Sequence, residues 1–549
     1  MSTPPPHASG SDGSDVPGLL PAWGPGGSCG LQPLFVSGSD GSDVPGPSPA
    51  SDSDGSLAPG SDDGPYALRP PHASDPDGSR ASRPPLVSGS DGSQASRPPL
   101  ASGPDGPHAL RPLLDTVLDA LHTGTRARGG PLPAGGPDAV AARTRAALGD
   151  VLPEHGDPGA LHTLVTALAA GSADPADPLC AAHLHGPPLA VSAAAELAVS
   201  VLNPSLDSWD QAPAASALEA LVTHALAREA GHADALVTTG ATESNHLALL
   251  LARETQGPAT RLVHGANAHH SLPRAAWLLG LPDPVPVPTP AGTLDPAVLD
   301  NILARLPGPG SPVVVAATAG TTDAGLIDPL PDIADVCARH GARLHIDAAY
   351  GGGLLFSDRH RTQLAGLDRA HTIALDLHKL GWQPIAAGLL TVRYPTDLTA
   401  LRQRADYLNA DDDTDAGLPD LLGRSLRTTR RPDILKIAVT LKTLGRTGLG
   451  TLVDHVHARA QDLARLVGAR PALDLYAPPP LSTVLFRPAG APDPAVAAVR
   501  RTLLAEGRAV LGRARPDGRL WLKATLLNPH AGPDDLTALL DLVEGHTPR

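Results

Sequence analysis

From Asp234 onward the apolar residues fall into two alternating patterns. Short apolar runs at Ala235–Thr239, Thr260–His264, Pro312–Thr318, Arg343–Asp347, Thr372–Asp376 and Ala387–Arg393 read as strands, several with no polar alternation. Between them Glu243–Glu254, Leu272–Leu279, Pro296–Leu306 and Ile333–His340 repeat apolar residues at helical spacing. Strand–helix alternation predicts a mostly parallel sheet covered on both faces. In such folds the chemistry sits beyond the carboxyl ends of the strands. Every polar cluster of this region falls at such an end.

Upstream the pattern is helical only, over His108–Leu121, Asp138–Leu148, Ala160–Ala169, Ala190–Leu202 and Pro213–Glu229. Downstream, the stretch 406–420 is too rich in Asp and Gly for the interior of an element. Helices follow at Pro432–Leu444 and Leu449–Val467. Strands Leu481–Phe486 and Leu520–Lys523 then alternate with helices Pro494–Glu506 and Pro533–Leu542, as in a small α+β domain. Residues 1–107 show no such pattern. Ser-Gly-Ser-Asp-Gly-Ser recurs at 9–14, 37–42 and 88–93, and this composition predicts disorder, since it offers little apolar surface to offset ordering entropy. The expected divisions are 1–107, a helical segment 108–215, a large domain 216–447 and a small domain 448–549.

Composition narrows the setting. A net charge of −15 and the lack of a basic patch argue against nucleic acid. No apolar run is long enough to span a membrane, and the first residues lack a secretory pattern. Cys29, Cys180 and Cys337 are too dispersed for a metal site or disulfide framework, which fits a reducing cytoplasm. Of the 42 Lys and Arg residues only Lys379, Lys436, Lys442 and Lys523 are lysines. A lysine retained in such a sequence is a candidate for chemistry arginine cannot do, such as Schiff-base formation.

Lys379 follows His378 at the end of a predicted strand. Asp347, in His345-Ile-Asp-Ala-Ala-Tyr350, ends another; it suits a structural cap, a metal ligand or a partner for the protonated pyridine nitrogen of pyridoxal phosphate. The turn Thr239-Gly-Ala-Thr242 opens a helix, where free N–H groups suit a phosphate, unless Thr242 is a simple N-cap. His269, in Asn267-Ala-His-His-Ser271, suits ring stacking or proton transfer, or is an ordinary surface histidine. Thr321 and Thr322 line a pocket or form a turn.

Taken in order, these motifs resemble the group II pyridoxal-phosphate-dependent amino-acid decarboxylases over about residues 175–549. The resemblance implies an α/β, aspartate-aminotransferase-like fold (fold type I), with a mostly parallel sheet of seven-stranded type and a small C-terminal domain. It implies Lys379 carrying the cofactor, Asp347 pairing with its pyridine nitrogen and His269 stacking on its ring. Ala241, Thr242, His378 and Thr322 would hold the phosphate, with Ala349 lining the cofactor. Tyr407, in a segment similar to the family's mobile loop, would protonate the substrate carbon. The family usually has Asn two residues before the His-Lys pair, where this chain has Asp376.

Three stretches are most similar to the bacterial diamino-acid branch, acting on 2,4-diaminobutyrate, lysine or ornithine in siderophore pathways: Leu206–Gln211, His378–Pro384 and Gly423–Pro432. They nominate His185, Asp207, Trp209 and Gln211 for substrate binding, and Asp207, Asp210 or the run Asp411–Asp413 as partners of a distal ammonium. The resemblance also implies a homodimer with the site at the interface; from composition and ligand spacing no membrane, nucleic-acid or metal partner is expected. Glutamate or aromatic-acid decarboxylation, transamination, C–S lysis and a non-catalytic scaffold are the competing readings.

Overall fold

The computed structural model describes residues 100–103, 105–306 and 311–547. The repeats and the disorder expected upstream of residue 100 lie outside these residues, as does Cys29. Five helices come first: α1 Gly106–Arg128, α2 Gly136–Leu148, α3 Ala160–Gly171, α4 Ala190–Leu202 and α5 Pro213–Glu229. The alternating region follows as β1 Asp234–Thr238, α6 Ala241–Gln256, β2 Arg261–Gly265, α7 Ser271–Leu278, β3 Val285–Val287, α8 Pro296–Arg305, β4 Val313–Thr318, α9 Leu330–His340, β5 Arg343–Ala348, β6 Thr372–Asp376 and β7 Gly388–Val392.

The seven strands form one sheet in the order β1-β7-β6-β5-β4-β2-β3. Strands β3, β2, β4, β5 and β6 run parallel, whereas β7 is antiparallel to both β6 and β1. Successive strand residues serve opposite faces, as the pleat requires. Val263 and Val315 pack with Leu299 of α8 and Ile333 of α9. Leu262 and Ala316, one residue along, pack with Leu249 of α6 and Leu272 of α7. Both faces are covered, so β4 is buried throughout, which explains its unbroken apolar run.

The remaining elements are α10 Asp406–Asn409, α11 Asp411–Asp415, α12 Ile434–Gly468, β8 Leu473–Leu475, β9 Thr483–Pro488, α13 Asp493–Ala505, β10 Gly512–Ala514, β11 Trp521–Thr525 and α14 Pro533–Gly545. Strands β10-β11-β9-β8 form a second, antiparallel sheet, backed by the C-terminal half of α12 and by α13 and α14.

Some expectations change. The two helices expected at 432–444 and 449–467 run together as α12, broken at Gly445, whose φ of 66° an L side chain rarely adopts. The stretch 406–420, expected to be irregular, forms the short helices α10 and α11. Neither buries a residue, and the Asp411–Asp413 carboxylates sit in the first turn of α11, where acids favour a helix. Among the described residues no helix is long and apolar enough to cross a membrane.

Candidate active site

The strand ends are drawn together by β7. Gly388 at its start lies opposite both Thr238 of β1 and Asp376 of β6. This sets the turn after β1 beside the segment after β6. A Cβ at Gly388 would fall 2.4 Å from Gly240 Cα, so only glycine fits between the two. The resulting cavity, about 300 Å³, is lined by Thr239–Thr242, His269, Thr318, Gly320, Thr322, Asp347, Ala349, Tyr350, Asp376, His378 and Lys379, with Leu184 and Ile385.

One end is built on the start of α6. Thr242 lies inside that helix and does not cap it. The cap comes from across the sheet: the Ala241 N–H donates to Asp376 Oδ1 at 2.7 Å. Thr239 donates its N–H and hydroxyl to Glu243, both at 2.7 Å, which holds the turn in shape. Asp376 Oδ2 lies 2.9 Å from Lys379 Nζ and 3.6 Å from His378 Nε2. Burial pulls the His378 pKa down, opposed by the Asp376 charge. A Cβ at Gly240 would crowd His378 Cε1 at 3.3 Å, so the turn is a close-fitting cradle.

The other end is built on β5. Asp347 Oδ1 accepts the Ala349 N–H at 3.1 Å, and Oδ2 accepts from Asn245 Nδ2 at 2.8 Å. His269 follows β2, with Nδ1 2.8 Å from Ser271 Oγ. Burial lowers the His269 pKa, with Asp347 opposing. On the wall, the Thr322 carbonyl accepts from Lys523 Nζ of β11 at 2.9 Å, and burial lowers that lysine's pKa.

Of the residues nominated from sequence, Lys379, His269, Asp347, His378, Ala241, Thr242, Thr322 and Ala349 meet in this one cavity. The others do not join them within the chain. His185 is exposed, and Gln211 is exposed with its amide on Ser208. Asp207 is buried away from the cavity in a loop pinned by Leu206, whose N–H donates to the Arg430 carbonyl. Trp209 lines a separate hollow with Glu219, His224 and Asp420. Tyr407 is 82% exposed and borders a third groove with Leu250 and Arg253. His185 stands next to Leu184, which lines the cavity, whereas the 206–211 and 406–420 segments border hollows of their own. Sequence reasoning gave Ser271 and His345 no role and counted Asn245 as the end of the phosphate turn Thr239–Asn245, whereas its amide contacts Asp347, Ser271 and His345. The spacing of His345 and Asp347, two apart on a buried strand and so on one face, is a signal for His345; nothing in the sequence joins Asn245 and Ser271 to it.

Comparison with known proteins identifies the family. The family described as pyridoxal-dependent decarboxylase conserved domain matches residues 161–489. The chain belongs to the pyridoxal-dependent decarboxylase family. An L-2,4-diaminobutyrate decarboxylase of Rhizobium meliloti (strain 1021) is 43% identical over 388 residues, covering 68% of this chain and 78% of the relative. A second, from Acinetobacter baumannii, is 32% identical over 396 residues, covering 65% and 78%. The glutamate decarboxylase domain of a Vibrio parahaemolyticus diaminobutyrate-pyruvate transaminase and L-2,4-diaminobutyrate decarboxylase superposes with a TM-score of 0.72 at 30% identity, covering 82% of this chain and 97% of that one.

The decarboxylase is thus a fold type I enzyme that uses pyridoxal phosphate to remove CO2 from an amino acid. The cavity suits that cofactor in its own chemistry. N–H groups of a helix start and a histidine stand at one end for a phosphate, an amine beside them for an aldehyde, and a carboxylate at the far end for a pyridinium.

Proposed function

We propose that this decarboxylase acts on a short diamino acid, L-2,4-diaminobutyrate first, with lysine and ornithine as longer alternatives, and releases a primary amine. The reading is carried by the cavity that gathers Lys379, Asp347, His269 and His378, in a chain 43% identical to an L-2,4-diaminobutyrate decarboxylase.

Bound in the cavity, the cofactor supplies an electron sink for the charge left at the substrate carbon as CO2 departs. In this reading Lys379 holds the cofactor covalently. Asp376 beside it steadies the ammonium when no cofactor is present. Asp347 would pair with the pyridine nitrogen and favour its protonated form, and His269 and Ala349 would line the ring. The start of α6 at Ala241 and Thr242 holds the phosphate with His378 and Thr322.

Tyr407, solvent-exposed in its own chain, returns a proton to the substrate carbon in the cavity of a second copy, so the working unit is a homodimer. Closure of the 406–420 segment over that cavity excludes water. A distal ammonium on the substrate needs a negative partner, and in this reading Asp207 and Asp210 would meet it across such a dimer. Among the described residues Cys180 and Cys337 are free thiols, which suits a cytoplasmic setting.

The test is a panel of carboxyl-labelled L-amino acids with added pyridoxal phosphate, trapping CO2 and identifying the amine. L-2,4-diaminobutyrate is expected to give the highest kcat/KM; faster turnover of glutamate or an aromatic acid would overturn the substrate assignment. If Asp207→Asn and Asp210→Asn keep the parent's preference among diaminobutyrate, lysine and glutamate, those carboxylates do not read the ammonium.

A further inference from the structure

Behind the ring end of the cavity lies a side chain that does not reach it. Asn245, on α6, is fully buried, and each polar atom of its carboxamide is engaged. Nδ2 contacts Asp347 Oδ2 and Ser271 Oγ, both at 2.8 Å, and Oδ1 contacts His345 Nε2 at 2.9 Å.

Donors and acceptors follow from this pattern. A carboxylate only accepts, so the amide NH2 faces Asp347. Oδ1 is then an acceptor, and His345 must carry its proton on Nε2. The other His345 nitrogen, Nδ1, accepts from the Thr372 hydroxyl at 2.9 Å. His345 stays neutral, because burial pulls its pKa down to about 4. Ser271 Oγ accepts the second amide N–H; the Ser271 backbone N–H points at His269 Nδ1 at 3.4 Å, which makes that nitrogen an acceptor, and the Ser271 O–H then donates to it at 2.8 Å. His269 therefore accepts at Nδ1 and holds its proton on Nε2.

We propose that Asn245 is a positioning residue that fixes the orientation of Asp347 and, through Ser271, the Nε2–H tautomer of His269. One buried amide then sets both groups that the proposed function places against the cofactor ring; the inference rests on that reading of the cavity. A hydrogen bond donated to Nδ1 favours neutral imidazole, and so does burial. The charged and titratable groups facing His269 are Asp347 on β5, the neighbouring His270, Asp376 at the end of β6 and Lys379 just beyond it. Asp347 pulls His269 toward the cation, and the Ser271 hydroxyl opposes it. A neutral His269 leaves the Asp347 charge to the pyridinium alone.

The test uses holoenzyme and three variants, Ser271→Ala, Ser271→Thr and Asn245→Leu. The absorbance of the bound cofactor is followed from pH 5 to 9, beside kcat and KM. Without the hydroxyl, Ser271→Ala should move the acid midpoint of the absorbance titration up by about one pH unit. It should lower kcat roughly tenfold with KM little changed. Ser271→Thr, which keeps the hydroxyl, should restore both. Asn245→Leu should add a loss of cofactor affinity, because Asp347 is released as well. The proposal is overturned if Ser271→Ala and Ser271→Thr behave alike, or if kcat falls while the absorbance midpoint stays at the parent's value. Should Asn245→Leu fail to fold, the Ser271 pair decides alone. A parent enzyme that shows no bound-cofactor absorbance after incubation with pyridoxal phosphate would sink the functional reading instead.

Discussion

The strand-end cavity and the 406–420 segment are opposites in construction. Asp347 in the cavity wall, and Asn245 and His345 behind it, are at most 5% exposed, and their polar atoms meet partners drawn from α6, α7, β5 and β6. In the segment, α10 and α11 bury no residue and Tyr407 is 82% exposed. A buried polar group left unpaired costs about 1–3 kcal/mol, so the cavity tolerates few arrangements. An exposed segment has water as an alternative partner everywhere, and its own chain does not dictate where it works. Cofactor chemistry, which demands fixed geometry, belongs to the first region. Delivery of a proton and exclusion of water, which demand movement, belong to the second.

The sharpest way to test that division is to remove one function from each region. Lys379→Ala should abolish the covalent cofactor absorbance and lower kcat/KM by on the order of 10³-fold or more, since no other cavity residue supplies an amine. Tyr407→Phe should lower kcat by roughly 10²-fold while leaving the cofactor dissociation constant and the melting temperature at parental values. Loss of cofactor on changing Tyr407 would show that the exposed segment shares in building the site, and the contrast would fail.

Legibility in the sequence follows the same line. The parallel strands were readable because burial on both faces leaves unbroken apolar runs, and the helices between them because one face repeats. Strand ends fell within a residue or two of expectation, as at Thr372–Asp376. The short strands β3, β8 and β10 were not readable; three residues make no pattern, and each exists only because a neighbouring strand offers a ladder. The cavity residues were readable as polar breaks at strand ends. The Asn245–Ser271–His345 cluster was not, because its members are joined by the sheet order, which sets β5 between β4 and β6 and lays α6 across them. The capping of α6 by Asp376 was hidden for the same reason: 135 residues separate donor from acceptor.

That cap carries a smaller prediction within the cavity itself. Asp347 meets an amide and a backbone N–H, whereas Asp376 meets a backbone N–H and the Lys379 ammonium, at the end expected to take a phosphate. Asp376→Asn keeps an acceptor for the Ala241 N–H but removes a like charge from beside the phosphate. Titrating apoenzyme with pyridoxal phosphate should show binding about tenfold tighter than in the parent, the size expected for one partly screened charge contact. Weaker binding would mean that the Asp376–Lys379 pair organises the site more than its charge opposes the ligand.

The least effect expected is on stability, and its sign is fixed by burial. His345 and His232 are buried with pKa values lowered to about 4, from 6.5, chiefly by desolvation. Below pH 6.5 the unfolded chain takes up protons that the folded chain refuses until about pH 4. Stability from these groups is therefore present above pH 6.5 and drains away as the pH falls toward 4. His345→Gln still offers an N–H to Asn245 Oδ1 and does not titrate. It should cost about 1 kcal/mol at pH 8, yet lose less in melting temperature than the parent between pH 6.5 and 5. His232, bonded to Thr391 Oγ1 at 2.8 Å, keeps part of the slope in the variant. A slope equal to the parent's would mean that His345 is already charged in the folded enzyme. His345 Nδ1 would then carry a proton, and the Thr372 hydroxyl would have to accept it, reversing the direction of hydrogen bonding on that side of Asn245.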